Sequence, residues 1–444
     1  MIFVCFVVRI HLPLVLPPMA SVSAPSAISA VRSPILPLAH APDYRCNLWN
    51  LRMVLQLGAE MSEDVILAAG GDISMGREVA EQVERRGAGF VLEAMADVLG
   101  RADLFTANWE SPILVEGKDP PEKGLVVPER SLADLSLPVP AAFTMANNHC
   151  FDAGEDGIAF TRGRLDALGL SPFGAAADDE TARAMRVVEV NGLRIGFLGR
   201  TEDCPQLKGR SAPGPALIKR KALMADLTAA RDSGEADVLV VHLHQGVEFV
   251  DWPNPRLVDL ARSLVDAGAD LVLCHHPHVP QGWERYNDRL IFYSLGNLAF
   301  NVFQSGYQRQ GSDWTNRSFV ALIPLREGAV GEPDLVPYRI TELGRPVPLA
   351  GHEAKDLLDH VATISTALAD RDELLKRWRD TCIRYLGINL DWAMSAFKSD
   401  TPEELLNTFF ARFGYDELRG VLRDLFAGYD WTKRLALEQW EEED

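Results

Sequence analysis

The stretch GADLVLCHHPHVPQGW, residues 268–283, ends an apolar run in three imidazoles within four positions, His275, His276 and His278. A short apolar run bounded by Gly and Pro reads as a buried strand. A His-x-His pair at the exit of such a strand is a geometry that grips a metal ion or a phosphate. One histidine there would be an ordinary core residue, but three call for neighbours of matching chemistry.

The same pattern recurs upstream. VILAAGGD (65–72) is a buried strand ending in Asp72, LFTAN (104–108) leads into Trp109 and Glu110, and AAFTMANNH (141–149) delivers Asn148 and His149. DVLVVHLHQG (237–246) sets His242 and His244 on one side of a strand, because they alternate with Leu243. Amphipathic stretches at 77–87, 90–100 and 255–268 lie between these runs and predict helices, so the chain is an α/β fold layered around sheets. In such sheets ligands gather at the carboxyl ends of the strands. Asp72, Glu110, Asn148, His149, His244 and the 275–278 cluster are therefore expected on one rim. Carboxylate, amide oxygen and imidazole form a borderline-hard donor set suited to Mn, Zn, Fe or Ca. Glu110, as a bridging carboxylate, could hold two ions about 3.5–4 Å apart, the spacing used in metal-assisted hydrolysis.

Each of these residues also has a plainer structural reading. Asp72 could cap a helix, Asn147 and Asn148 could be turn residues, and Cys150 and Cys274 behave as small buried hydrophobes. Glu248 either anchors its loop or tunes His244. If the strand runs on past residue 275, alternation points His275 away from His276 and makes it structural. His242 is expected either to support His244 by hydrogen bonding or to carry a second proton.

With 444 residues, 47% of them hydrophobic, the chain can bury a large core and allows roughly two or three domains. Lys and Arg number 44 against 63 Asp and Glu, and the net charge of −19 argues against a nucleic-acid or anionic-membrane partner. The six cysteines have no CxxC spacing and suit a reducing compartment. No acidic residue precedes Asp43, and Arg9 interrupts the first apolar run with no basic segment before it. Residues 1–60 are thus expected to be a disordered or mis-assigned extension, with translation starting at Met53 or Met61. A cytoplasmic location follows, or a secreted or envelope-associated one if that segment is a leader. No run of 18 apolar residues predicts a membrane span. Asn191-Gly192 and Asn287-Asp288 predict tight hairpins. Amphipathic patterns at 354–378 and 402–426 predict helices, giving a domain over 61–345 and a helical C-terminal region, subdomain or lid, over 346–444.

Six ordered motifs resemble one family: GGDISMGR (70–77), NWESPI (108–113), MANNHCFDAGEDGI (145–158), HQGVEF (244–249), GADLVLCHHPHVPQGWERY (268–286) and YSLGNLAFN (293–301). They are similar to the capsule-synthesis CapA family, a branch of the calcineurin-like metallophosphoesterase superfamily, over roughly residues 64–302. The resemblance implies a four-layer α/β/β/α metallophosphatase-like sandwich with a C-terminal helical subdomain. It carries metal ligands onto Asp72, Glu110, Asn148, His244, His276 and His278, holding one or two divalent ions, and a leaving-group proton donor onto His149. It implies a metal-dependent hydrolase acting on a phosphoester or a γ-glutamyl or peptide amide, within poly-γ-glutamate (capsule) metabolism, with an anionic polymer, peptide or phosphoester as substrate. Two alternatives stay open. One is a peptide epimerase in which His149 and His242 move a proton at a metal-polarised carbonyl, and the other is a non-catalytic component of capsule assembly. The sequence departs from the family pattern at Ser74, where the superfamily has a histidine, and at His242, Cys274, Leu298 and Asn301.

Overall fold

The computed structural model describes residues 64–119, 121, 124–203, 214–303, 312–396, 421, 423 and 424. The expectations for 1–60 and for nearly all of the helix at 402–426 lie outside the described residues.

Two sheets face each other. The first runs, in spatial order, Pro346–Pro348, Asp334–Ile340, Arg317–Arg326, Val65–Ile73, Leu104–Trp109, Ala141–Thr144 and Ser171–Phe173, with Asn297–Ala299 added alongside Val65–Ile73. The second runs Trp283–Tyr286, Arg289–Phe292, Leu271–His275, Val238–His244, Leu193–Thr201 and Arg186–Val190. Four neighbouring strands in each sheet are parallel, so their carboxyl ends share an edge.

Strand alternation sorts the apolar side chains into layers. Val65, Leu67 and Ala69 meet Ile195, Phe197, Val238, Val240, Leu271 and Leu273 between the sheets. On the outer faces, Ala68, Phe105 and Ala107 pack with Val79, Val83, Ile158 and Leu165 of helices Glu78–Arg86 and Glu155–Ala167. Leu239, Val241 and Val272 pack with helices Arg220–Ser233 and Pro255–Asp266. The result is a four-layer α/β/β/α sandwich. The helix Pro255–Asp266 illustrates how locally this is encoded. Asn254 caps it by accepting from the Arg256 N–H, Pro255 opens it, and Leu257, Leu260, Ala261 and Leu264 form its buried stripe.

Both hairpins form where expected: Asn191 and Gly192, then Asn287 and Asp288, all hold the positive φ of a primed turn. The helix expected over 90–100 is instead three short turns, Gly89–Leu92, Glu93–Met95 and Ala96–Leu99. Helix Gly351–Leu368 inserts Leu357 and Val361 into the layer between the sheets. The next helix, Arg371–Ala396, places Trp378 and Cys382 against Val247 and Val250. These C-terminal helices therefore help build the sandwich and brace the loop after Val238–His244. Among the described residues no helix is long and apolar enough to cross a membrane.

Candidate metal centre

The site begins with a bulge. Between Ala69 and Asp72 the first strand spends one residue more than its neighbour, and this extra length aims Asp72 at the rim. Gly71 is required there, since a Cβ would stand 1.9 Å from the Gly296 carbonyl oxygen, and Asp72 N donates to that same oxygen at 2.8 Å. Asp72 is consequently in register with Asn108 on one side and Asn297 on the other. In the second sheet His244 and His275 are register partners.

The two sheets meet through these residues. Asn108 Nδ2 lies 2.8 Å from Asp72 Oδ1, 3.0 Å from Glu110 Oε1 and 3.2 Å from His244 Nδ1. The opposite end of the Asn108 amide accepts from Asn147 Nδ2, which fixes its orientation. Two amide hydrogens thus face three acceptors. His244 Nε2 lies 3.0 Å from Asn148 Oδ1 and 3.3 Å from Glu110 Oε1. His278 Nδ1 lies 3.3 Å from Asp72 Oδ2 and 2.8 Å from Asn297 Oδ1, and Asn297 Nδ2 donates to backbone carbonyls. Asn297 Oδ1 is therefore an acceptor that keeps the His278 proton on Nδ1 and leaves Nε2 as the ligand atom.

The rim is short of protons. Glu110 Oε2, His275 Nδ1 and His276 Nδ1 are buried and make no hydrogen bond. Burial, reinforced by Asp72, pushes the Glu110 carboxyl up to about 8. Burial also opposes ionisation of Asp72, but His275 and His278 outweigh it and hold that carboxyl well below the usual range. Burial lowers His244 well below the ordinary imidazole value and His276 to about 4. His278 is the exception: burial disfavours its charge, yet Glu110 and Asp72 raise it to about 10. Lone pairs that converge without enough hydrogens to share fit a divalent cation, and among the described residues two groups reach the required closeness: Asp72, Glu110 and His244, and separately Glu248, His276 and His278.

The six residues expected as ligands, Asp72, Glu110, Asn148, His244, His276 and His278, thus come together at one rim. His149 stands beside them, with Nδ1 held by Asp152 Oδ2 at 2.8 Å and its backbone N–H bound to Asn147 Oδ1. Burial works against charge on His149, but Asp152 prevails and raises its proton affinity.

Two expectations change. His242 does not reach the rim: it is buried between the sheets, with Nε2 at 3.1 Å from Thr106 Oγ1 and Nδ1 at 3.0 Å from His275 Nε2. With both nitrogens engaged it supports His275 rather than His244, and it cannot touch a substrate. His275 does not point away from the site, because the strand ends at that residue and His276 turns with φ 96°. His275 Nδ1 lies 3.3 Å from Asp72 Oδ1. Sequence reasoning missed Asn108 and Asn297, which look like unremarked amides in NWESPI and YSLGN, and gave Glu248 only a supporting role. Ser74 hydrogen-bonds with Ser111 and the Gly76 N–H, and so pins the adjoining loop. Cys150 and Cys274 are buried in the two outer apolar layers.

Facing sheets with acids and amides from one and imidazoles from the other define an α/β/β/α sandwich protein with a candidate metal centre on its rim. The chain belongs to the family of the bacterial capsule synthesis protein PGA_cap, whose model matches residues 66–302. It is 32% identical to the capsule biosynthesis protein CapA of Bacillus anthracis, covering 65% of this chain and 70% of that protein. It is 30% identical to the PGA biosynthesis protein CapA of Bacillus subtilis (strain 168), covering 65% and 75%. Among solved structures, the 5'-nucleotidase precursor of Thermus thermophilus overlaps 69% of this chain and 60% of that one, at 16% identity and a TM-score of 0.39.

Proposed function

We propose that this protein is a metal-dependent hydrolase of the CapA type that cleaves a γ-glutamyl or peptide amide, or a phosphoester, within capsule metabolism. The observation that supports it is the proton-poor rim beside a histidine already oriented by a carboxylate. Asp72, Glu110, Asn148, His244, His276 and His278 would hold one or two divalent ions of the Mn, Zn, Fe or Ca class, which supply Lewis-acid polarisation when bound. Asn108 spaces the two carboxylates and His244, which share its two N–H hydrogens. Asn297 fixes the His278 tautomer. Asp152 holds the His149 ring at Nδ1 and favours its protonated form, so Nε2 is left to give a proton to the leaving nitrogen or oxygen. The epimerase reading needs His242 as a second proton carrier at the substrate, and its buried, doubly bonded position withdraws that support.

The test is metal analysis of the purified protein followed by rate measurements on γ-glutamyl oligomers and a phosphoester panel, with and without chelator. Chelator-sensitive cleavage of either class is expected. A protein that binds metal tightly and turns over neither class would instead be a non-catalytic assembly component.

A further inference from the structure

We propose that His275 is itself a metal ligand of the rim, through Nδ1, and that a hydrogen-bond chain through His242 and Thr106 sets the tautomer that makes it one. The inference rests on the metal-binding reading of the rim and adds a donor from behind it.

The argument is a count of hydrogens. Thr106 has one hydroxyl proton and gives it to the Ala142 carbonyl at 2.8 Å. At 3.1 Å from His242 Nε2, the same oxygen can only accept, so His242 carries its proton on Nε2. The His242 ring sits edge-on to Phe173 and against Phe197, and its own two nitrogens face a hydroxyl and another imidazole. A second proton there would be an unpaired buried charge, which is expensive. His242 Nδ1 is therefore an acceptor, and the His275 Nε2–H donates to it at 3.0 Å. The rings are nearly parallel, with an interplanar angle of 5°, as a hydrogen bond between ring nitrogens favours, and this fixes the orientation of His275 as well as its tautomer.

With Nε2–H committed to His242, Nδ1 is the His275 atom left to face the rim. That nitrogen is buried, makes no hydrogen bond, and lies 3.3 Å from Asp72 Oδ1, which is a lone-pair atom. In the metal-free protein a single proton can bridge the two atoms, and a divalent ion would take that proton's place. A divalent ion with ligand bonds of about 2.0–2.2 Å could span a 3.3 Å separation between two donor atoms. His278 shows the contrast. Its Nδ1 also lies 3.3 Å from Asp72, but Asn297 Oδ1 takes its proton at 2.8 Å, so that edge of the ring is a donor and not a ligand. Thr106 and His242 are positioning residues for His275, as Asn297 is for His278.

The test compares wild type with His275→Ala, Thr106→Val and, as a control for the metal reading, His244→Ala. The probes are Zn²⁺ affinity by competition with a chelating dye and the visible spectrum of the Co²⁺-loaded protein, with circular dichroism of the metal-free forms to check the fold. His275→Ala is expected to weaken Zn²⁺ at least about 100-fold and to alter the Co²⁺ bands. Thr106→Val removes the acceptor that fixes the chain and is expected to cost about 10–100-fold, as outer-sphere partners do. It carries the test alone if His275→Ala does not fold. Loss of metal from His244→Ala with wild-type affinity and spectrum in both other variants overturns this inference and leaves the metal reading intact. No metal in wild type overturns both.

Discussion

Two of the buried charge clusters among the described residues, one around Arg200 and one around Glu110, differ in their accounts of hydrogen. Around Arg200, which is 1% exposed, both terminal nitrogens are held: Nη1 donates to the Gly199 carbonyl, and Nη2 donates to the Arg183 carbonyl and to Asp226 Oδ2 at 2.7 Å. Arg183 completes Asp226 with two further bonds, at 3.0 and 2.6 Å. Around Glu110, equally buried, carboxylate and imidazole atoms crowd together and three of them, Glu110 Oε2, His275 Nδ1 and His276 Nδ1, make no hydrogen bond. A buried network that is satisfied holds elements together, whereas one left systematically short of protons awaits a cation. Burial and charge alone would have grouped the two.

The sharpest way to break the comparison is to remove a donor from the rim. His276→Ala and His278→Ala are each expected to bring bound metal to background in elemental analysis while the metal-free fold survives, since the rim contributes ligand atoms more than contacts. Full metal content in either variant would make the rim a structural network like the first. His149→Asn should behave differently from both. It is expected to keep the metal and lose about 10²- to 10⁴-fold in turnover on whichever substrate class is cleaved, the usual worth of a general acid. An unchanged rate would leave the proton to solvent.

The satisfied cluster predicts the reverse pattern. Asp226→Ala leaves the buried Arg200 guanidinium without its carboxylate, and breaking a buried pair from one side costs about 3–5 kcal/mol. Asp226 is 19% exposed, which places the expected loss at or below the lower end of that range. Urea unfolding measures the loss, and metal content is expected to stay at the wild-type level.

How much of this was legible in the sequence depends on how local each signal is. The strand ends at Asp72, Glu110, Asn148 and His244 were legible because a strand that stops in polar residues announces its own edge, whereas the bulge that aims Asp72 was not. The hairpins at Asn191-Gly192 and Asn287-Asp288 were legible because two residues decide them. His275 was misplaced because alternation holds only while the strand lasts, and φ 96° at His276 ends it. Asn108 becomes a hub only when His244, 136 residues away in sequence, is brought to it. Similarly, Leu357 and Val361 look like the stripe of a free-standing helix until the gap between the sheets is known.

The smallest expected effect separates the clusters by pH. Burial resists ionisation of Asp226, but the hydrogen bonds and charges of Arg183 and Arg200 prevail and hold its carboxyl below the ordinary value of 3.8. Arg183 also reaches Asp179 at 3.4 Å, so that second carboxylate faces the same group. A carboxyl depressed on folding stabilises the folded state fully above its unfolded pKa, and the contribution fades as the pH falls through the folded value. The difference in unfolding free energy between wild type and Asp226→Asn should therefore be flat above about pH 5 and shrink toward acid, where protonation of Asp226 removes from the wild type the ion pair that the variant lacks at every pH. Taking this difference cancels the other carboxylates that titrate over the same range. A difference that stays constant down to the lowest pH at which the protein folds would mean that Asp226 serves Arg200 as a neutral hydrogen-bond acceptor, and the two clusters would then differ in geometry but not in charge.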